Sequence, residues 1–346
     1  MRKWILFVIL SFVLGGLLGI ALAKFNLSKN QNKLLPQIIS KPLEKYTIEN
    51  LSKIPAPSVP IVIEEELKKE EGFASYLISF TFDPTLRSDS GQALKKVTGL
   101  LNLPAGDGPF PLIVLLRGYV DQKEYKTGDG TRRAGEYFAK NGFITLAPDF
   151  LGYGGSDKEA DNIFESRLQT YTTVLSLMSS VENIPEWDRE NIFLWGHSNG
   201  GQIALTILAI TGRAIPTVLW APVSKPFPYS VLYYTDESDD GGKLIRQELA
   251  KFETLYDVDN YSFDKYLDRV NKFVSDEIKA PVQIHQGTND DAVPVSWSKA
   301  LSKNLPGSSA QAGSNLLIYP GADHDLNPSW NSAILQSLKF FLKYKI

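Results

Sequence analysis

One serine in the chain is set between glycines at a point where an apolar run gives way to another. It is Ser198 in Gly196-His197-Ser198-Asn199-Gly200, within the stretch NIFLWGHSNGGQIAL. The spacing is G-x-S-x-G, and the chemistry it offers is nucleophilic attack by a hydroxyl. A hydroxyl is a poor nucleophile at neutral pH, so it needs a base, and the base needs a carboxylate to orient it. The chain contains three histidines, His197, His285 and His324, and no cysteine. Disulfides, thiolate metal sites and cysteine nucleophiles are therefore excluded, and a histidine-rich metal centre lacks ligands. His197 is tied to the turn beside Ser198 and cannot fold back onto it. His285 lies in an apolar strand and reads as a satisfied interior residue. That leaves His324, in YPGADHDLNP, as the base. For the carboxylate, IHQGTNDDAVP places Asp290 and Asp291 directly after a strand. Asp290 is preferred, with Asp291 the alternative, while Asp323 and Asp325 flank His324 too closely to hold its ring from behind.

The motif is weak by itself, since roughly one chain in ten of this length would carry it by chance at average residue usage. Its setting makes it specific. It joins a strand to a helix, as a nucleophile elbow requires, and the helix start behind it supplies unpaired N–H groups and a positive dipole end. The Asn199 N–H is thus a candidate oxyanion donor. A second donor is expected from the loop after FPLIVLL, which reads Arg117-Gly118-Tyr119. Gly118 lets the backbone approach, and the Tyr119 N–H would donate. The loop FLGYGGSD after Asp149 has neither a P-loop lysine nor G-x-G-x-x-G spacing and reads as a structural turn near the site.

These residues need a scaffold, and the pattern from Ile61 onward provides one. FASYLISFTFD and KKVTGLLNLP alternate as half-buried antiparallel strands do, whereas LIVLL is apolar throughout, as in a strand buried on both faces. Repeated strand–helix units follow to the closing helix in SWNSAILQSLKFFLKYKI. The prediction is an α/β fold with a mostly parallel central sheet and helices on both faces. Residues 224–279 break the rhythm. They are rich in aromatics, among them Phe227, Tyr229, Tyr233, Tyr234, Phe252, Tyr256, Tyr261, Phe263, Tyr266 and Phe273. They are expected to form a cap over the carboxyl ends of the strands, where open α/β sheets bind ligands. The alternative is an ornament packed on itself.

Ahead of this body, Arg2 and Lys3 precede an uncharged apolar run over residues 4–23, long enough to span a bilayer. Residues 1–23 are read as a transmembrane signal anchor, with Ala21-Leu22-Ala23 as a cleavage site in the signal-peptide alternative. Residues 24–58, rich in Asn, Gln, Lys and Pro, read as a linker with one short helix in 39–53, and the catalytic domain is placed at 59–346. The enzyme would then sit on the outer side of the membrane or be secreted. A net charge of −3 with no long basic run gives no footprint for nucleic acid.

The chain resembles the α/β-hydrolase superfamily, and more narrowly the prolyl-oligopeptidase-type (peptidase family S9) catalytic domain and its single-domain esterase relatives. The resemblance runs from about residue 73 to the C-terminus. It rests on VTGLLNLPAGDGPFPLIVLLRGY, YFAKNGFITLAPDFLGYGGSD, GHSNGG, IHQGTNDDAVPVSWS and GADH. It implies Ser198 as nucleophile, Asp290 as acid, His324 as base, and backbone oxyanion donors at Tyr119 and Asn199. Relatives have His-Gly where this chain has Arg117-Gly118, and the peptidases carry a β-propeller for which residues 1–58 have no counterpart. The expected activity is a serine hydrolase acting through an acyl-enzyme on a small ester or short peptide, needing no metal or organic cofactor. A prolyl-oligopeptidase-like peptidase, a non-catalytic surface binding module and an acyl transferase are the rival readings.

Overall fold

The computed structural model describes residues 40–87, 91, 93–234, 240–267, 282–305 and 315–346. Leu43–Ile346 forms one compact unit. At its centre is a nine-stranded sheet in the order β1-β2-β3-β5-β4-β6-β7-β8-β9. The strands are β1 (Val62–Glu70), β2 (Phe73–Phe82), β3 (Lys95–Pro104), β4 (Phe110–Leu116), β5 (Ile144–Pro148), β6 (Trp187–His197), β7 (Thr217–Trp220), β8 (Val282–Gly287) and β9 (Asn315–Tyr319). Pairing is antiparallel from β1 through β3 to β5, and parallel from β5 across β4 to β9. The alternating strands β2 and β3 and the wholly apolar β4 thus occupy the places their patterns predicted.

β1 was not anticipated. Its sequence, VIEEELKKE, is mostly exposed and charged, and two register shifts interrupt its ladder with β2. An edge strand is blunted against further pairing by such charges and bulges, and they also erase the apolar alternation by which a strand is recognised.

Helices cover both faces. On one side α3 (Ile163–Ser180) and α4 (Asn199–Thr211) pack on Leu112, Val114, Leu116 and Leu194. On the other, α2 (Arg132–Lys140) and α8 (Trp330–Tyr344) enclose an aromatic cluster in which Phe341 lies 5.1 Å from Phe193 and 5.5 Å from Phe138. α4 ends on Gly212 in the left-handed conformation (φ 57°), which costs glycine nothing, and its N–H closes on the Leu208 carbonyl.

Part of the expected linker lies in the core. Leu43, Tyr46, Ile48 and Leu51 are buried in the same cluster as α3 and α4, with the short helix α1 (Ile48–Leu51) capped by the Thr47 hydroxyl on Asn50 N–H. The Tyr46 hydroxyl donates to Glu165 (3.1 Å) and the Leu43 N–H to the Tyr256 hydroxyl (3.0 Å). The compact unit therefore begins at Leu43 rather than 59. Four apolar residues in a polar stretch are too few to show a period, and their partners are distant in sequence. The apolar run 4–23 lies outside the described residues. Among the described residues no helix is long and apolar enough to cross a membrane.

The insertion at 224–279 contains α5 (Tyr229–Tyr233), α6 (Asp240–Leu255) and two 3₁₀ turns, Val258–Tyr261 and Phe263–Tyr266. Phe227, Phe252, Tyr256 and Tyr261 are buried, and Phe252 packs at 5.1 Å from Phe164 of α3. Phe273 lies outside the described residues. A further helix, α7 (Val295–Asn304), follows the Asp290 loop.

Burial of a large apolar side chain contributes about 1.5–3 kcal/mol. Protein starting at Leu43 is therefore expected to unfold cooperatively with its full stability. Protein starting at 59 should lose several kcal/mol in denaturant titrations. Equal midpoints for the two would show that the 43–51 segment contributes nothing.

Candidate active site

Ser198 is the turn residue between β6 and α4, with φ 54° and ψ −119°, a conformation that non-glycine residues avoid. The elbow is held from three sides. The Ser198 N–H donates to the Trp220 carbonyl (2.9 Å), and its own carbonyl accepts from the N–H groups of Gly201 (2.9 Å) and Val223 (3.0 Å). The bracketing glycines are required by close approach. A Cβ on Gly200 would collide with the Leu116 carbonyl, one on Gly196 with the Gly200 carbonyl, and one on Gly201 with Pro222. Gly118 lies against the serine itself, its added Cβ falling 3.0 Å from Ser198 Cβ.

His324, on the loop after β9, has Nδ1 3.0 Å from both carboxylate oxygens of Asp290, so Nδ1–H is the donor. The Asp290 carboxylate is fully covered. Its Oδ1 also accepts from the N–H groups of Ala292 (2.9 Å) and Val293 (2.8 Å), and Oδ2 accepts from the Gln286 amide (2.8 Å). Burial alone would raise its pKa. The hydrogen bonds from His324, Val293 and Gln286 outweigh burial and hold the carboxyl below its ordinary value. Asp291 is exposed, and no hydrogen bond joins it to His324. The neighbouring Asp323 accepts from the Asn327 N–H (2.8 Å) and stiffens the loop.

Two supports were not visible in the sequence. His197 is buried behind His324, the rings 4.7 Å apart, and its Nε2–H donates to the His324 carbonyl (3.1 Å). Burial and the neighbouring His324 push its pKa down. Ser298 of α7 donates to Gln286 (2.6 Å), which aims the Gln286 amide at Asp290. His285 sits in the interior as expected, its Nδ1 2.8 Å from the Tyr319 hydroxyl and its Nε2 2.8 Å from Gln283.

Arg117 stands where the resemblance implied a histidine. Its guanidinium is buried, 3.9 Å over the Tyr153 ring and 4.7 Å over Tyr125. One Nη donates to the Gly118 carbonyl (2.9 Å) and the other to the Asp149 carbonyl (3.0 Å). The Asp149 carboxylate in turn accepts from Tyr125, Thr98 and Thr127. The Gly118–Tyr119 peptide is thereby clamped to the loop after β5, whose Tyr153 in FLGYGGSD packs against the Arg117 guanidinium.

Ser198, His324, Asn199, Gly118 and Tyr119 line one cavity of about 750 Å³ at the carboxyl ends of the parallel strands. The insertion contributes Phe227, Ser230, Val231 and Tyr234 to its wall, and the Tyr234 hydroxyl donates to the Ala292 carbonyl (3.2 Å) beside Asp290. Among the described residues no cluster of His, Asp or Glu is arranged to hold a metal.

A serine on a strained strand–helix turn, facing a ligand cavity at the switch of a mostly parallel sheet, defines an α/β-hydrolase. The chain belongs to the prolyl oligopeptidase family, whose sequence model matches residues 131–345. It is 26% identical over 251 residues to the "Uncharacterized peptidase YtmA" of Bacillus subtilis, covering 72% of this chain and 89% of that protein. It is 23% identical over 226 residues to "Acetyl esterase Axe7A" of Xylanibacter ruminicola, covering 58% of this chain and 47% of that longer protein. Acetyl xylan esterase 1 from Thermoanaerobacterium sp. shares the fold with a TM-score of 0.62 at 17% identity, over 88% of this chain and 94% of that one.

Two outcomes follow from the buried groups. Arg117→Lys keeps the charge but cannot bridge two carbonyls with a planar fork. It should lower kcat by about tenfold or more, since losing an oxyanion donor outright costs about 10²–10³. An unchanged kcat would show that the clamp does not position the loop. Burial pushes the His285 pKa down to about 3. The unfolded chain, with an ordinary histidine near pH 6.5, then binds more protons than the folded one, so stability falls as pH drops below about 6.5. His285→Gln should flatten that loss by up to about 1.4 kcal/mol per pH unit in denaturant titrations. An equally steep profile would refute a buried neutral His285.

Proposed function

We propose that the protein is a serine hydrolase that cleaves a carboxylic ester through an acyl-enzyme. The reading rests on one observation. The His324 imidazole, paired with the covered Asp290 carboxylate, opens on the same cavity as a serine held at φ 54°. Ser198 Oγ attacks the acyl carbon while His324 Nε2 takes its proton. Asp290 holds the Nδ1–H tautomer and stabilises the imidazolium. The oxyanion that forms on the former carbonyl oxygen is received by the Asn199 N–H at the start of α4 and the Tyr119 N–H of the clamped loop. His324 returns the proton to the leaving alkoxide. Water, deprotonated by the same imidazole, then hydrolyses the acyl-Ser198 ester and frees the acid.

A peptidase reading shares every step but the leaving group, an amine. The family match and the similarity to the B. subtilis peptidase support it. The similarity to the X. ruminicola acetyl esterase supports the ester reading. The apolar run 4–23 behind Arg2 and Lys3 supports anchoring to, or export across, a membrane.

A fluorophosphonate probe should label wild-type protein at Ser198 and leave Ser198→Ala unlabelled. Asp290→Asn should lower kcat on p-nitrophenyl acetate by about 10⁴, because the imidazole loses its tautomer. Asp291→Asn should stay within about twofold, as an exposed surface change. Labelling that survives in Ser198→Ala would overturn the mechanism, and equal losses in the two Asp variants would overturn the acid's assignment. Rates on short peptides, including proline-containing ones, compared with acyl esters decide between amide and ester.

A further inference from the structure

Along α3, Ile163, Arg167, Thr170 and Tyr171 all line the cavity that holds Ser198. The spacing is that of a single helix face, and that face borders the cavity. An arginine on such a face is costly unless something meets its charge. Among the described residues, Arg167 is half-buried and no ion pair joins it to a carboxylate. Other arginines are differently placed. Arg117 has two carbonyl acceptors, Arg133 stacks at 3.6 Å on Trp330, and Arg189 lies over Trp187. The other ionisable side chains of the cavity do not meet the charge. Burial and the neighbouring His324 hold the His197 pKa below its ordinary value, His324 is engaged with Asp290, and Asp325 is largely exposed at 3.7 Å from His197. Gln202 and Ser230, also in the cavity wall, are engaged with one another and with the Lys225 carbonyl.

We propose that Arg167 binds a carboxylate of the substrate, so that the site prefers esters or peptides carrying a free carboxylate near the scissile acyl group. Guanidinium and carboxylate match as a two-point fork, which orients the substrate as well as attracting it. The proposal rests on the assignment of Ser198 as the acylated residue, and names the substrate class for that site. The carboxylate can lie on the acyl side, as in a hemi-ester of a dicarboxylic acid, or on the leaving side, as at the C-terminus of a short peptide.

Both arms compare a charged substrate with its neutral counterpart. Monomethyl glutarate is set against methyl valerate, and a short peptide against its C-terminal amide, in wild type, Arg167→Met and Arg167→Lys. In at least one arm, wild type should favour the charged member in kcat/KM by about ten- to a hundredfold, the range of a hydrogen bond to a charged group. That ratio should collapse in Arg167→Met and return in part in Arg167→Lys. The arm that responds identifies the side on which the carboxylate lies. Calorimetry on Ser198→Ala, which cannot turn over, separates binding from catalysis. Monomethyl glutarate or the free peptide should bind this protein at least about tenfold more tightly than its neutral counterpart, and the added Arg167→Met change should abolish the difference. Fluorophosphonate labelling of Arg167→Met reports on its fold and on Ser198 independently. A wild type indifferent to charge in both arms, or a preference unchanged in Arg167→Met, would overturn the proposal while leaving the hydrolase reading standing.

Discussion

How closely the start of α4 can approach the end of β4 controls the rest of the site. Gly200 lies against the Leu116 carbonyl, where no Cβ fits, and Gly196 and Gly201 make similar room against Gly200 and Pro222. Only at that distance can the chain turn from β6 into α4 through one residue, and only by placing Ser198 in the left-handed region. A strained residue of this kind costs about 1–3 kcal/mol and persists where its surroundings over-determine it. Here they do so through three backbone hydrogen bonds, with β7, β4 beyond Phe110 and the second half of β6 from Asn191 buried beneath. The serine is thereby placed at the start of α4, on the wall of the cavity.

Polar groups are layered around that turn so that each carries a partner into the interior. Ser298 orients Gln286, Gln286 and two backbone N–H groups hold Asp290, Asp290 holds His324, and His197 holds the His324 backbone. On the opposite side Arg117, caged by tyrosines, ties the Gly118 carbonyl to the Asp149 loop. Buried polar networks of this kind have strong geometry because leaving any member unpaired is costly in a low-dielectric interior. The two sides converge on one cavity from loops that follow four different strands.

The insertion joins both readings of its aromatic content. Phe252, Tyr256 and Tyr261 face the core beside α3 and the 43–51 segment, as an ornament packed on the body would. The limb from Phe227 to Tyr234 instead forms cavity wall and reaches the Asp290 loop through Tyr234. One segment thus links the 43–51 segment to the cavity that holds Ser198.

The strand–helix rhythm, the elbow, the place of His324 after the last strand and that of Asp290 after an earlier one were legible in the residues alone. Each depends on local periodicity, on glycine spacing or on chain order, all of which are one-dimensional. The buried role of 43–51, the edge strand β1, the clamp by Arg117, the support of His324 by His197 and the cavity-facing Arg167 were decided only by the tertiary structure. The reason is physical. These roles are set by contacts with groups distant in sequence, such as Leu43 with Tyr256, Arg117 with Asp149 and His197 with His324. No repeat or spacing encodes which of two polar faces a fold will turn inward.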